Sequence, residues 1–288
     1  METAELLKKV RRIEIKTRGL SNHVFAGQYH SAFKGKGMAF SEVREYQPGD
    51  DVRSIDWNVT ARFSHPFVKV YEEERELTVI LMADLSGSSD FGTHKMLKRE
   101  LITELCAVLA FSAIRNNDKI GAIFFTGKVE KFIPPKKGKS HILRIIRELL
   151  NFEPEEKRTN IQHALEFLNN MLKKRAVVFL LSDFLDSDFE DGLRIANRRH
   201  DLVALRISDQ AETGIPKSGL MPVVDAETGE TMLVDFASES IRRSYKRQKF
   251  LESEKVSKTF SRLGIDSVQL STGRDYVPQL MNMFKQRG

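Results

Sequence analysis

The run Asp84-Leu85-Ser86-Gly87-Ser88-Ser89 sets one carboxylate and two hydroxyls, Asp84, Ser86 and Ser88, at alternate positions. Gly87 lets the backbone turn tightly between the two serines. Two further oxygen donors follow: Thr159 in Thr159-Asn160-Ile161, where a helical pattern begins, and Asp183 in Ser182-Asp183. The candidate set Asp84, Ser86, Ser88, Thr159 and Asp183 is therefore all oxygen. Hard cations such as Mg²⁺ prefer such donors, with Mn²⁺ or Ca²⁺ as alternatives. Two carboxylates balance a divalent charge, hydroxyls and water fill further positions, and one position can stay open for an acidic residue of a partner. Each fragment also has a plain structural reading. A polar turn after a strand is common, Thr159 with Gln162 fits a capping box, and Asp183 can cap a loop.

The fragments form a site only if regular elements bring them together. Thr78–Ala83 and Ala176–Ser182 are continuous apolar runs, as expected of strands buried on both faces. Helical patterns cover Thr93–Asn116, Ser140–Leu150, Ile161–Lys174 and Phe189–Arg199. Strands are expected at Ile120–Thr126, Val129–Ile133, Leu202–Ile207 and Ser267–Leu270, and a last helix at Tyr276–Gln286. Such alternation predicts an α/β fold, Rossmann-like, with a central mostly parallel sheet flanked by helices. Ligands in such sheets sit beyond the carboxyl ends of the strands, where Asp84 and Asp183 both fall. Val223–Asp235 reads as a hairpin turning at Glu227-Thr228-Gly229, an insertion at about 221–236, and a long charged helix follows at about 238–263.

The first quarter reads differently. An amphipathic helix is expected over 3–17, then a Gly-rich stretch of turns and short strands from Leu20 to His65, then a strand at Phe67–Tyr71. This divides the chain into a small N-terminal α+β extension, 1–76, packed on a main domain, 77–288. Within the extension, Arg44, Asp50, Asp51, Arg53 and Asp56 could form a buried ion network locking it to the sheet, with Trp57 beneath. The alternative is a docking surface.

Composition sets outer bounds. The 288 residues are 41% hydrophobic and 30% charged, enough apolar material for a sizeable core, so disorder is excluded as the main state. One cysteine, Cys106, excludes an internal disulfide and a Cys-based zinc site. No run reaches the roughly 18 apolar residues of a membrane helix, and Glu2 and Glu5 in the first segment argue against a secretory signal. A cytoplasmic protein without direct membrane insertion is expected. The net charge is +6, with basic excess at Lys136–Arg147 and Arg242–Arg262, which read as solvated helix faces. His30, His65 and His141 have no nucleophile or acid at catalytic spacing.

Residues 78–183 resemble the von Willebrand factor type A (vWA) domain, whose metal-ion-dependent adhesion site (MIDAS) is matched by Asp84-x-Ser86-x-Ser88, Thr159 and Asp183. The resemblance implies that the serines and threonine contact the metal, with the aspartates acting directly or through water. Nearly the whole chain resembles domain-of-unknown-function family 58 (DUF58). The matching stretches are 26–31, 35–46, Glu73-Glu74-Arg75-Glu76 and, most specifically, Pro48-Gly49-Asp50-Asp51-Val52-Arg53-Ser54-Ile55-Asp56-Trp57. Such proteins are commonly encoded beside MoxR-type AAA+ ATPases. The resemblance therefore implies a Mg²⁺-dependent protein-protein interaction module, an adaptor or chaperone-like partner of that ATPase in assembly or maturation of clients, with no established catalysis.

The residues leave two other classes open. A Mg²⁺-dependent phosphohydrolase could use Asp84 as nucleophile, but aspartyl phosphatases usually carry a second Asp where Ser86 stands. A nucleic-acid-binding protein could use the basic stretches, yet no RNA-recognition aromatic motif accompanies them, and no nucleic acid is expected. The chain lacks a G-x-x-x-x-G-K-[ST] loop, so ATP hydrolysis by this chain is not expected.

Overall fold

A computed structural model describes residues 11, 13, 14, 16, 29, 32, 33, 38–73, 76–92, 96–212 and 217–287. The chain divides into two compact units: Lys34–Leu77, and Met1–Phe33 together with Thr78–Gly288.

The smaller unit is an antiparallel pair, β1 (Met38–Glu45) and β2 (Phe67–Glu73), with a short helix α1 (Trp57–Phe63) between them. A bulge between Phe40 and Glu42 shifts the register. The Asp56 carboxylate starts α1 by accepting from the backbone N–H groups of Asn58 (3.0 Å) and Val59 (3.2 Å), which no intrahelical carbonyl reaches. Asp51 accepts from Arg53 N–H at 2.9 Å, and Arg44 pairs with Asp50 at 2.7 Å. The expected buried ion network is therefore corrected. These carboxylates cap local turns near solvent, and Trp57, at the first position of α1, is 67% exposed rather than packed beneath them. α1 escaped the sequence reading because a seven-residue helix carrying Val59 and Thr60 leaves little periodicity.

The larger unit holds β3 (Thr78–Asp84), α2 (Lys98–Arg115), β4 (Lys119–Phe125), β5 (Val129–Lys136), α3 (Lys139–Leu150), α4 (Ile161–Met171) and β6 (Val177–Ser182). It continues through α5 (Glu190–Arg199), β7 (Asp201–Ser208), β8 (Leu220–Val224), β9 (Thr231–Asp235), α6 (Glu239–Leu263), β10 (Asp266–Ser271) and α7 (Val277–Arg287). Six strands make one sheet in the order β10-β7-β6-β3-β4-β5, parallel except for β5, which runs antiparallel to β4. This is the α/β architecture expected. Strands β8 and β9 form the separate expected hairpin.

The central strands are apolar throughout because both faces are covered. Ile80, Met82, Val178 and Leu180 pack with Leu165 and Leu168 of α4, Leu193 of α5 and Phe260 of α6. Facing the other way, Phe179 meets Phe33 edge-on at 5.5 Å, and Phe33 meets Phe284 of α7 at 5.7 Å. The fully buried Tyr29 joins this cluster, 6.0 Å from Phe284. Burying side chains of this size contributes roughly 1.5–3 kcal/mol each, which gives Tyr29 and Phe33 a reason to group with the sheet. Helix α2 is buried on nearly every side from Leu101 to Ala113, well beyond the one stripe of Leu101, Leu105 and Val108 that its spacing predicts.

The remaining signature stretches at 26–28, 30–31, 35–37 and 74–75, and most of the helix expected over 3–17, lie outside the described residues. Among the described residues no helix is long and apolar enough to cross a membrane. The two basic stretches lie in surface helices. Arg243 pairs with Glu239, Lys258 with Glu254 and Arg262 with Glu190, as solvated faces do.

Candidate metal centre

Asp84 ends β3, and Ser182 ends the neighbouring parallel strand β6, so both present their side chains at the same edge of the sheet. The Asp84 carboxylate is buried and held from two sides. Ser182 Oγ donates to its Oδ2 at 2.6 Å, and Ser86 N–H donates to Oδ1 at 3.1 Å. The hydroxyls of Ser86 and Ser88 lie 3.2 Å apart. Ser182 also accepts from Phe184 N–H at 3.0 Å. Phe184 has φ +57°, a left-handed conformation that is costly for an aromatic residue, and the bend follows immediately after Asp183.

Thr159 precedes α4. The helix is capped by Asn160, whose Oδ1 accepts from His163 N–H at 2.9 Å, and not by a Thr159–Gln162 box. Gln162 Oε1 is used instead by Gly192 N–H of α5. The Thr159 hydroxyl is thus released from capping. It donates at 2.8 Å to Glu227 Oε1, from the tip of the β8–β9 hairpin. The Lys157 carbonyl, two residues earlier, accepts from Gly87 N–H at 2.8 Å, which ties the loop leading into α4 to the Asp84–Ser88 segment.

Asp183 is paired with a residue the sequence reading did not single out. Lys98 Nζ, almost wholly buried at the start of α2, lies 2.8 Å from Asp183 Oδ2 and 2.6 Å from Glu212 Oε1. Burial pulls this ammonium down, but the charges of Asp183 and Glu212 outweigh it and hold it above its ordinary value. Glu227, Lys98 and Ser182 were all missed. A charged residue at a helix start normally reads as solvated, and only the tertiary fold brings residues 98, 182 and 227 to the loop at 84–88.

The electrostatics are those of crowded carboxylates. Burial, then the charge of Asp183, raises Asp84 to about 7 against the pull of Ser182 and Ser86. Burial likewise raises Glu227, opposed by the Thr159 hydrogen bond and reinforced by Asp183 and Asp186. Asp186 is raised by burial, with Asp188 and Asp183 adding to it. A divalent cation would relieve this repulsion. The donor chemistry of Asp84, Ser86, Ser88 and Thr159, all hard oxygens, fits such an ion, with Asp183 shared with Lys98. Among the described residues no three His, Cys, Asp or Glu side chains cluster closely enough to hold a metal by themselves, so a cation here depends on the hydroxyls.

Elsewhere, His141 is structural, its Nε2 3.0 Å from the Ile120 carbonyl oxygen, and His65 is exposed. His30 lies outside the described residues. Cys106 is buried in α2, and burial pushes its thiol far above the ordinary range, which removes it from redox chemistry at neutral pH.

A six-stranded mixed sheet flanked by helices, with Asp84-x-Ser86-x-Ser88 at the end of β3 and Asp183 just after β6, defines an α/β domain. The family described as "Protein of unknown function DUF58" matches residues 42–255, and the chain belongs to it. A Mycobacterium tuberculosis relative, the uncharacterized protein Rv1480, is 28% identical over 291 residues, covering 100% of this chain and 91% of that one. Among solved structures, BatB from Bacteroides thetaiotaomicron is similar at 13% identity and a TM-score of 0.46, covering 73% of this chain and 98% of its own. The SpRpn10 VWA domain is similar at 11% identity and a TM-score of 0.38, with 73% and 94% covered.

Proposed function

We propose that this protein is a cation-dependent protein-binding module that grips an acidic residue of a partner protein. The observation that carries the reading is the fixed array of Asp84, Ser86 and Ser88 at the carboxyl end of β3, joined to Asp183 through the neighbouring β6. Asp84, Ser86, Ser88 and Thr159 would hold Mg²⁺, with Asp183 acting directly or through water. When bound, the ion supplies a hard positive charge that a partner's carboxylate can complete. The chain's own residues do the positioning. Ser182 and the Ser86 N–H orient the Asp84 carboxylate, and the Ser86 and Ser88 hydroxyls lie 3.2 Å apart beside it.

The phosphohydrolase reading fares less well. An aspartyl phosphatase usually carries a second Asp two residues after the nucleophile, and Ser86 stands at that position. The partner that the family resemblance implies is a MoxR-type AAA+ ATPase, with this chain as adaptor for an acidic client.

The test is affinity capture from native extract in Mg²⁺, followed by mass spectrometry. An ATPase held by wild type and lost with Asp84→Asn, or on chelation, supports the reading. Capture that survives Asp84→Asn but fails with Trp57→Ala moves the interface to the Arg44–Trp57 segment, whose exposed Trp57 and Val52 favour docking over a structural lock. Capture by neither wild type nor variant refutes the adaptor.

A further inference from the structure

We propose that Glu227 is the chain's own occupant of the position that a partner's acidic side chain would take. The β8–β9 hairpin is thus a built-in competitor that closes the site until a partner displaces it. The inference rests on the cation-site reading and names what fills its open position.

Two independent contacts carry it. The first is chemical: Thr159, one of the candidate ligands, spends its hydroxyl proton on Glu227 Oε1 at 2.8 Å, across 68 residues of sequence. The O–H bond points toward the carboxylate, which leaves the threonine lone pairs for a cation. The hydrogen bond sets the Glu227 carboxylate beside one candidate ligand, where it would stand in for a partner's acidic group.

The second contact is steric. The carbonyl of Ala226, the residue before Glu227, lies so close to Gly87 that a Cβ there would stand 2.3 Å from its oxygen. The hairpin tip therefore rests directly on the loop that carries Ser86 and Ser88. Glycine at 87 permits that approach; its backbone conformation is one that any residue adopts.

The hairpin is shaped to present this one carboxylate. Asp225 Oδ1 accepts from Glu227 N–H at 2.9 Å and from Thr228 N–H at 2.8 Å, and Gly229 takes φ +75°, so the turn is locked with Glu227 at its apex. Its strands, by contrast, are mostly exposed, Leu220, Val224, Met232 and Leu233 among them. Among the described residues the Glu227 and Ala226 contacts tie the hairpin tip to the site, so loss of the Glu227 contact should loosen the segment.

The test is hydrogen–deuterium exchange of the full chain with and without Mg²⁺, alongside Mn²⁺ titration by electron paramagnetic resonance. Wild type is compared with Glu227→Gln, which keeps an acceptor for Thr159 but loses the charge, and with Glu227→Ala. In Mg²⁺, amides over 220–235 should exchange roughly fivefold or more faster in Glu227→Ala than in wild type. Both variants should bind Mn²⁺ more weakly, Glu227→Ala by about tenfold. Mn²⁺ uptake equal in all three proteins, with unchanged hairpin exchange, overturns the role of Glu227 and leaves the cation site standing. Absence of saturable Mn²⁺ uptake by wild type overturns the cation site itself, and this inference with it.

Discussion

The ammonium of Lys98 and the carboxylate of Asp183 meet at 2.8 Å across 85 residues of sequence, with the lysine side chain only 2% exposed. Removing one partner of a buried pair leaves an uncompensated charge, at a cost of about 3–5 kcal/mol. Lys98→Met should lose stability on that scale in chemical denaturation. It also strips Asp183 of its internal cation, so added Mg²⁺ should raise the melting temperature of Lys98→Met by more than it raises that of wild type. Equal Mg²⁺ responses would separate Asp183 from the cation site.

Thr159 and Asn160 are neighbours with different tasks. Asn160→Ala removes the N-cap of α4 and should cost about 1 kcal/mol, with Mg²⁺ affinity little changed. Thr159→Ala should do the reverse, leaving stability within about 0.5 kcal/mol and weakening Mg²⁺ binding. Denaturation and calorimetric titration of the same two variants make the comparison. Loss of stability without loss of binding in Thr159→Ala would return that residue to a purely structural role.

Gly87→Ala puts a methyl group against the Ala226 carbonyl, backbone that cannot swing aside as a side chain tip can. Strain of this kind costs about 1–3 kcal/mol unless the hairpin tip lifts away. Limited proteolysis should therefore show faster cleavage within 220–235 in Gly87→Ala than in wild type. An unchanged digestion pattern would place the hairpin tip off the loop.

How far the sequence announces this arrangement depends on the range of the contact. The strands β3 and β6 are legible because burial on both faces leaves an unbroken apolar run, and the hairpin because Glu227-Thr228-Gly229 is a turn by composition. Asp84, Ser86 and Ser88 are legible because their spacing is local. The hydrogen bonds of Thr159 to Glu227 and of Ser182 to Asp84, and the pairing of Lys98 with Asp183, are tertiary events with no local signal. The division of the first quarter was equally hidden. Tyr29 and Phe33 read as scattered aromatics until Phe179 and Phe284 are seen around them. Trp57, which opens α1, is 67% exposed, against the usual expectation for a lone tryptophan.

His200 supplies a pH dependence apart from the site. It is buried, both ring nitrogens lack a hydrogen-bond partner among the described residues, and burial with Arg199 and Arg175 holds its pKa down to about 4. The unfolded chain takes up a proton near the ordinary histidine value of about 6.5, whereas the folded chain resists until about 4. Stability should therefore fall as pH drops through that window, by about 2 kcal/mol once solvent screening is discounted. His200→Leu should flatten the fall between pH 7 and pH 4.5 in urea denaturation. An undiminished slope would assign the effect to other groups.

The central claim is that a cation sits among Asp84, Ser86, Ser88 and Thr159, and isothermal titration calorimetry with Mg²⁺ on the metal-stripped full chain tests it most directly. Wild type should bind one ion saturably. Asp84→Asn, which keeps the side chain's shape and an acceptor for Ser182, should weaken binding by roughly tenfold or more while its circular dichroism stays that of wild type. Binding of equal strength in the two proteins, or no saturable heat from wild type, would contradict the account.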